Sequence, residues 1–413
     1  MKSLLSRLTS QKSGMVACLR QLVERESPSH NKAALDQLGR HLAAEFATIG
    51  GRTRFHPQKH AGDHLQVDFP GAGKPILILG HMDTVWDLGT LAAMPFRVAN
   101  GRAFGPGSFD MKAGIVQAIY AIRALQELHG RLPRAIAVLL VTDEEIGSHS
   151  SRSITEALAK KSAAVLVLEP SQGRKGALKT ARKGVGAYRV KVEGREAHSG
   201  LDSDKGASAV LELARQLLVI GKFADRKRGV TVNPGVIRGG TRTNVVAGEA
   251  TAEVDARVSR SKDIPYLDKK FRALKPFDKR CKVEVSGGIG RPPMERSRKV
   301  VALFTLARRL AHELGWELEE ASVGGGSDGN FTAALGIPTL DGLGAVGEGA
   351  HARHESVIIA EMPRRAALLA RLIEAIPGER PTMSEMRERL GRREPVVLPK
   401  LAARAVREER ERR

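Results

Sequence analysis

Ile136-Ala137-Val138-Leu139-Leu140-Val141 runs through Thr142 into three consecutive acids, Asp143-Glu144-Glu145. A short, unbroken apolar run of this kind reads as a buried strand. Three carboxylates at its end repel one another and lose hydration, which is costly unless positive charge meets them there. Two other segments share the design. Ile76-Leu77-Ile78-Leu79-Gly80 leads into His81-Met82-Asp83, and Ala164-Val165-Leu166-Val167-Leu168 leads into Glu169. Three apolar strands that each end in metal-ligand residue types point to one metal site on the carboxyl edge of a sheet.

Size and composition limit what can surround that site. At 413 residues the chain exceeds the size at which one core keeps growing, so two domains are expected. Cys18 and Cys281 lie far apart and form no CxxC pair, which argues against a disulfide framework or a thiolate zinc cage. A metal must then be held by His, Asp and Glu. Met1 to Glu26 has the spacing of an amphipathic helix without a signal-peptide apolar region. No segment approaches the roughly 18 apolar residues that span a bilayer, so a cytoplasmic protein with no membrane partner is expected.

The net charge of +21, from 67 basic and 46 acidic residues, raises nucleic-acid binding as a possibility. The charge is spread along the chain, however, and no basic stripe interleaved with aromatics or known nucleic-acid motif accompanies it. Nucleic acid is therefore not expected as a partner.

Up to about residue 180, strand candidates alternate with helical patterns, as in an α/β domain. Helices are expected at Met111 to Leu128, Lys299 to Leu314 and Met362 to Ile376. Between them the texture changes. A strand over 187–194, a helix over 207–220, strands within 230–258, a helix over 264–274 and a strand over 282–285 give the order β-α-β-β-α-β. That order is the ferredoxin-like split pattern. The expected organisation is a first α/β part at 1–181, an inserted unit at 182–293, a second α/β part at 294–377 and a basic extension at 378–413.

Several residues carry chemistry. Asp83, two positions beyond His81, can fix that imidazole's tautomer. Asp110 lies in Gly105-Pro106-Gly107-Ser108-Phe109-Asp110-Met111-Lys112, at a helix start where it could cap the helix or bridge metals. In Asp143-Glu144-Glu145 neighbouring side chains cannot all face one ion, so one can ligate while the next points at a bound water. His351 and His354 offer two late imidazoles. The glycine-rich stretches at 235–243 and 324–329 match no phosphate loop, and no GxSxG element marks a serine hydrolase.

The strings GHMD (80–83), FDMKAG (109–114), VTDEEIGS (141–148), LEPS (168–171), TARKGVGAY (180–188), GREAHSG (194–200), GGTRTNVV (239–246), GGGSDGNF (324–331) and GAHARHE (349–355) occur in this order. Together they resemble the aminoacylase / acetylornithine deacetylase / glutamate carboxypeptidase family of di-zinc metallopeptidases, most of all its glutamate carboxypeptidase branch. The resemblance implies an α/β fold: a three-layer zinc-hydrolase catalytic domain with an inserted ferredoxin-like α+β dimerisation (lid) domain. It also implies two zinc ions per subunit, with cobalt or manganese as substitutes. His81, Asp110 and Glu169 would hold one ion, and Asp110 would bridge to a second held by Glu145 and His351.

The same resemblance makes Glu144 the general base and Asp83 the residue supporting His81. His198 would reach a partner subunit's site, aided by Asn244, in a homodimer built through the inserted domain. Arg291 would grip a substrate carboxylate, with Gly325, Gly326 and Ser327 lining the same pocket, and the Asp110–Met111 peptide would be cis. Ala113 departs from the pattern, since a second glycine is usual after DMK, and the basic extension has no counterpart in it. The expected activity is zinc-dependent release of a C-terminal amino acid, glutamate first, from a small peptide or N-acyl amino acid. The rival expectations are an acetylornithine or succinyl-diaminopimelate type deacylase, a dipeptidase and, more distantly, a noncatalytic binding protein on the same fold.

Overall fold

The carboxyl-terminal ends of four parallel strands lie side by side, and the acids and histidine of the opening strings follow directly from them. In the computed structural model, which describes residues 2–376, six strands form one sheet in the order Arg52–His56, His64–Phe69, Ile136–Val141, Ile76–His81, Ala164–Val167, Thr339–Leu340. The first two strands are antiparallel to their neighbours, and the last four run parallel. The basic extension expected at 378–413 lies outside the described residues.

Alternation along the buried strands sends side chains into two layers. Ile76, Ile78, Val138, Leu140 and Leu166 face a core built with helices Lys12–Val23, Ala113–His129, Arg298–Leu314 and Glu361–Ala375. Leu77, Leu79, Leu139, Val165 and Val167 face the other way, where Ile154 and Leu158 of helix Arg152–Lys161 cover them. Both faces are buried, which is why these strands read as continuous apolar runs. Among the described residues no helix is long and apolar enough to cross a membrane.

Two sequence expectations shift. The N-terminal amphipathic helix is two helices, Lys2–Ser10 and Lys12–Val23, joined at Gln11. The helix expected from Met111 begins at Ala113, because Asp110 and Met111 hold non-helical backbone across a cis peptide bond.

The second sheet is antiparallel, with strand order Thr231–Gly239, Glu249–Val258, Gly184–Glu193, Lys282–Arg291. Helices Ala209–Gly221 and Ile264–Arg272 supply the rest of its core, where Tyr188 stacks on Phe271 at 3.8 Å between ring centroids. Chain order and strand order are those of the ferredoxin-like pattern. The last strand runs further than its alternating start suggests. At Gly287 (φ +86°) an added Cβ would lie 2.1 Å from the Ala187 carbonyl oxygen, so only glycine lets the two strands approach. The strand continues past a register shift between Ile289 and Arg291, which carries Arg291 back to the first sheet.

Candidate metal centre and active site

Each candidate ligand sits at a strand end or in a loop that others hold in place. His81 ends its strand, Glu145 and Glu169 follow theirs, and Asp110 precedes helix Ala113–His129. His351 lies in the loop between the short paired strands Gly347–Glu348 and Ser356–Ile358, with left-handed backbone (φ +61°). The structure brings all five together. His81 Nε2 lies 3.2 Å from Asp110 Oδ1 and 3.6 Å from Glu169 Oε1. His351 Nε2 lies 3.2 Å from Glu145 Oε1 and 3.5 Å from Asp110 Oδ2. Ligand atoms within each triad, His81-Asp110-Glu169 and Asp110-Glu145-His351, are all within 4.8 Å of one another. Imidazole nitrogens and carboxylate oxygens bind zinc at about 2.0–2.2 Å, so an ion fits inside each triad, with Asp110 common to both.

The surrounding contacts aim these atoms. His81 Nδ1 meets the Asp83 carbonyl oxygen at 2.9 Å and its carboxylate at 3.5 Å, which leaves Nε2 toward the triad. The Asp83 carboxylate has a second task. It accepts from the backbone N–H groups of Glu144 (3.3 Å) and Glu145 (3.1 Å) and from Ser29 Oγ (2.8 Å), fixing the acidic turn. Asp143 faces away, accepting from Ser150 N and Oγ, both at 2.7 Å, just before helix Arg152–Lys161. Buried Arg182 donates to Glu169 Oε2 at 2.9 Å and to both Asp341 oxygens at 2.8 Å. It also donates to the carbonyls of Gly325 and Gly326, while Ser327 Oγ, fully buried, donates to Asp341.

Charge in the site is strongly negative. Burial alone would lower the His81 pKa, yet hydrogen bonds to Asp110, Asp83 and Glu169 hold it well above the usual histidine value. Hydrogen bonds to Asp110 and Glu145 push His351 up to about 10. Burial favours the neutral form of Asp110, but the two imidazoles overcome it and hold its carboxyl well below the usual range. Protons and dications compete for these same lone pairs, so metal binding here releases protons.

Glu144 stands beside the triads and ligates in neither. Burial pushes its carboxyl up to about 8, against the pull of Arg291, whose Nη1 donates to Glu144 Oε1. Arg291 Nη2 also donates to Ser148 Oγ at 2.8 Å, and Nη1 lies 3.4 Å from Asp328 Oδ1. The guanidinium thus stands between the carboxylates of Glu144 and Asp328, beside the metal-ligand candidates.

The sequence model described as peptidase family M20/M25/M40 matches residues 77–375. The chain belongs to this family. Carboxypeptidase G2 of Pseudomonas sp. (strain RS-16) is 30% identical over 372 residues, covering 88% of this chain and 90% of that protein. Succinyl-diaminopimelate desuccinylase of Dechloromonas aromatica is 25% identical over 325 residues, covering 74% and 85%. Among solved structures, the aminopeptidase PepT of Bacillus cereus superposes with a TM-score of 0.72 at 23% identity, covering 88% of this chain and 98% of that one. This M20 chain is a metal-dependent hydrolase, with its candidate ligands already gathered.

Other expected residues lie elsewhere. His198 and Asn244 are exposed neighbours, joined through the Ser199 N–H to the Asn244 carbonyl at 3.1 Å. Neither shares a hydrogen bond or ion pair with the cluster among the described residues. His354 belongs to neither triad.

In the sequence Glu355 only closes the GAHARHE string. In this M20 fold it is buried and accepts four hydrogen bonds: from the N–H groups of Gly107 (2.9 Å), Phe109 (2.9 Å) and Asp110 (3.0 Å), and from Trp86 Nε1 (2.9 Å). Its only sequence signal was an acid directly before an apolar strand. Glu355→Gln would aim an amide N–H₂ at backbone donors. Metal affinity should fall about 10- to 100-fold, read by competition with a chelating dye. The unfolding free energy should fall by about 1–3 kcal/mol, read by denaturant titration.

Proposed function

We propose that the protein is a di-zinc exo-carboxypeptidase that hydrolyses the amide bond of a C-terminal amino acid, glutamate first. The observation that carries this reading is the pair of triads sharing Asp110, with Glu144 and Arg291 in contact beside them. His81, Asp110 and Glu169 would hold one ion, and Asp110, Glu145 and His351 the other. When bound, the ions supply Lewis-acid polarisation of the scissile carbonyl and make the attacking water more acidic. Beside two cations Glu144 would be ionised despite its burial, and it takes the proton of that water and returns it to the departing amine. Arg291 binds the substrate's terminal carboxylate by its planar fork, releasing Glu144 for the water as it does so.

Residues 182–293 would act as the inserted unit through which two subunits pair. Its edge strand Thr231–Gly239 and helix Ala209–Gly221 expose Ile237 (60%), Leu211 (64%) and Leu218 (73%), the apolar rim and open edge a partner would cover. In that dimer the exposed His198, supported by Asn244, would complete the partner's site.

The test is a release assay on N-acyl and γ-linked glutamates, with other amino acids and carboxamide-capped glutamate as controls, in zinc or cobalt. Arg291→Lys keeps the charge and loses the fork. KM should rise about tenfold or more for free-carboxylate substrates and stay near wild type for capped ones. An equal change for both would assign Arg291 to Glu144 alone. A second reading, deacylation of an N-acyl amino acid, draws on the likeness to the desuccinylase. Faster release from N-succinyl or N-acetyl diamino acids than from any acyl-glutamate would favour it.

A further inference from the structure

We infer that a groove along one face of the six-stranded sheet, remote from the metal centre, binds a medium-chain carboxylate. The groove encloses about 450 Å³, within the range of small-ligand sites. It exists because helix Arg152–Lys161 covers the central strands on this face and leaves the same face of the outer pair, Arg52–His56 and His64–Phe69, open. Register places Arg54 opposite Gln66, and pairs Asp68 with Ala137 on the next strand, so one polar row borders an apolar floor.

The floor is Pro75, Ala137, Ile154 and Leu158. The polar wall satisfies itself: His56 Nε2 meets Gln66 Oε1 at 2.9 Å, and Gln66 Nε2 donates to Asp68 Oδ2 at 2.8 Å. Asp68 keeps its charge, so the lining sets two cations, Arg54 and Lys161, against one carboxylate. Arg54 lies on the strand and Lys161 at the helix end, and among the described residues neither side chain has a hydrogen bond or ion pair. An apolar floor flanked by two uncommitted cations matches an anion with a hydrocarbon tail: the carboxylate between Arg54 and Lys161, the chain on Ala137 and Leu158.

Pro75 and Ala137 lie at the beginnings of strands whose far ends carry His81 and the Asp143–Glu145 turn, roughly 15–20 Å away at about 3.3 Å per residue. A ligand here is thus separate from the catalytic centre, and none of the groove residues belongs to it.

Calorimetric titration of the metal-loaded, full-length enzyme with sodium octanoate tests the inference, with 1-octanol as the neutral control. Octanoate should bind, and at least about tenfold more tightly than 1-octanol. The double variant Arg54→Gln/Lys161→Gln should weaken octanoate about tenfold or more and leave kcat and KM unchanged. Ala157→Trp, which fills the groove from its exposed rim, should weaken it likewise. Undiminished octanoate binding in both variants would place the anion at the metal centre and overturn the inference. Equal affinity for octanoate and 1-octanol, or no binding to the wild type, would overturn it too.

Discussion

Glu144→Gln is expected to lower kcat by about 1,000- to 10,000-fold, the upper range for removing a general base, and to leave the metal content at the wild-type value. That loss corresponds to about 4–5.5 kcal/mol of transition-state stabilisation. The separation of the two effects follows from geometry. Glu144 is a member of neither triad, while its neighbour Glu145 reaches His351. Glutamine keeps the side chain's size and an oxygen for Arg291 but cannot accept the water's proton. The fold should tolerate the change, since Arg291 keeps Asp328 and Ser148 as partners and is not left as an isolated buried charge. Steady-state kinetics and elemental analysis on one preparation check both halves. Turnover within tenfold of wild type would remove Glu144 from the proton-transfer role.

Asp110→Asn is expected to strip both ions where Glu144→Gln strips neither. Asp110 turns one oxygen toward His81 and the other toward His351, so a single carboxylate serves two triads. An amide offers one oxygen, and its N–H₂ repels a cation. Loss at both sites should exceed the 10- to 100-fold typical of removing a supporting residue, and activity should fall to background even with added zinc. Retained binding of both ions by the variant would contradict a shared ligand.

Much of the candidate site was legible in the sequence because its candidate ligands are written at the ends of apolar runs. A buried parallel strand has few ways to finish, and His81, Glu145 and Glu169 stand where the runs Ile76–His81, Ile136–Val141 and Ala164–Val167 give out. The second sheet was legible for a related reason, since its alternating strand Gly184–Glu193 announces one buried face. Supporting contacts were harder to read. Asp143 had no assigned partner until the structure set it against Ser150. Arg182 and Asp341, 159 positions apart, meet because strand Leu178–Arg182 bridges at Lys179 to Asp341, which follows the main sheet's edge strand Thr339–Leu340. Glu355 binds backbone N–H groups about 245 residues earlier. Such pairings leave no periodicity, because backbone donors look alike in every sequence. The direct contact of Arg291 with Glu144 was likewise invisible: it depends on a strand crossing from one sheet to the other.

Two metals sharing Asp110 is the central claim, and metal stoichiometry tests it most directly. Full-length wild type and Asp110→Asn, each dialysed against metal-free buffer and analysed by inductively coupled plasma mass spectrometry, should hold two ions per chain and fewer than one, respectively. A wild-type chain that is fully active with one ion or none, or an Asp110→Asn chain that keeps two, would contradict the account.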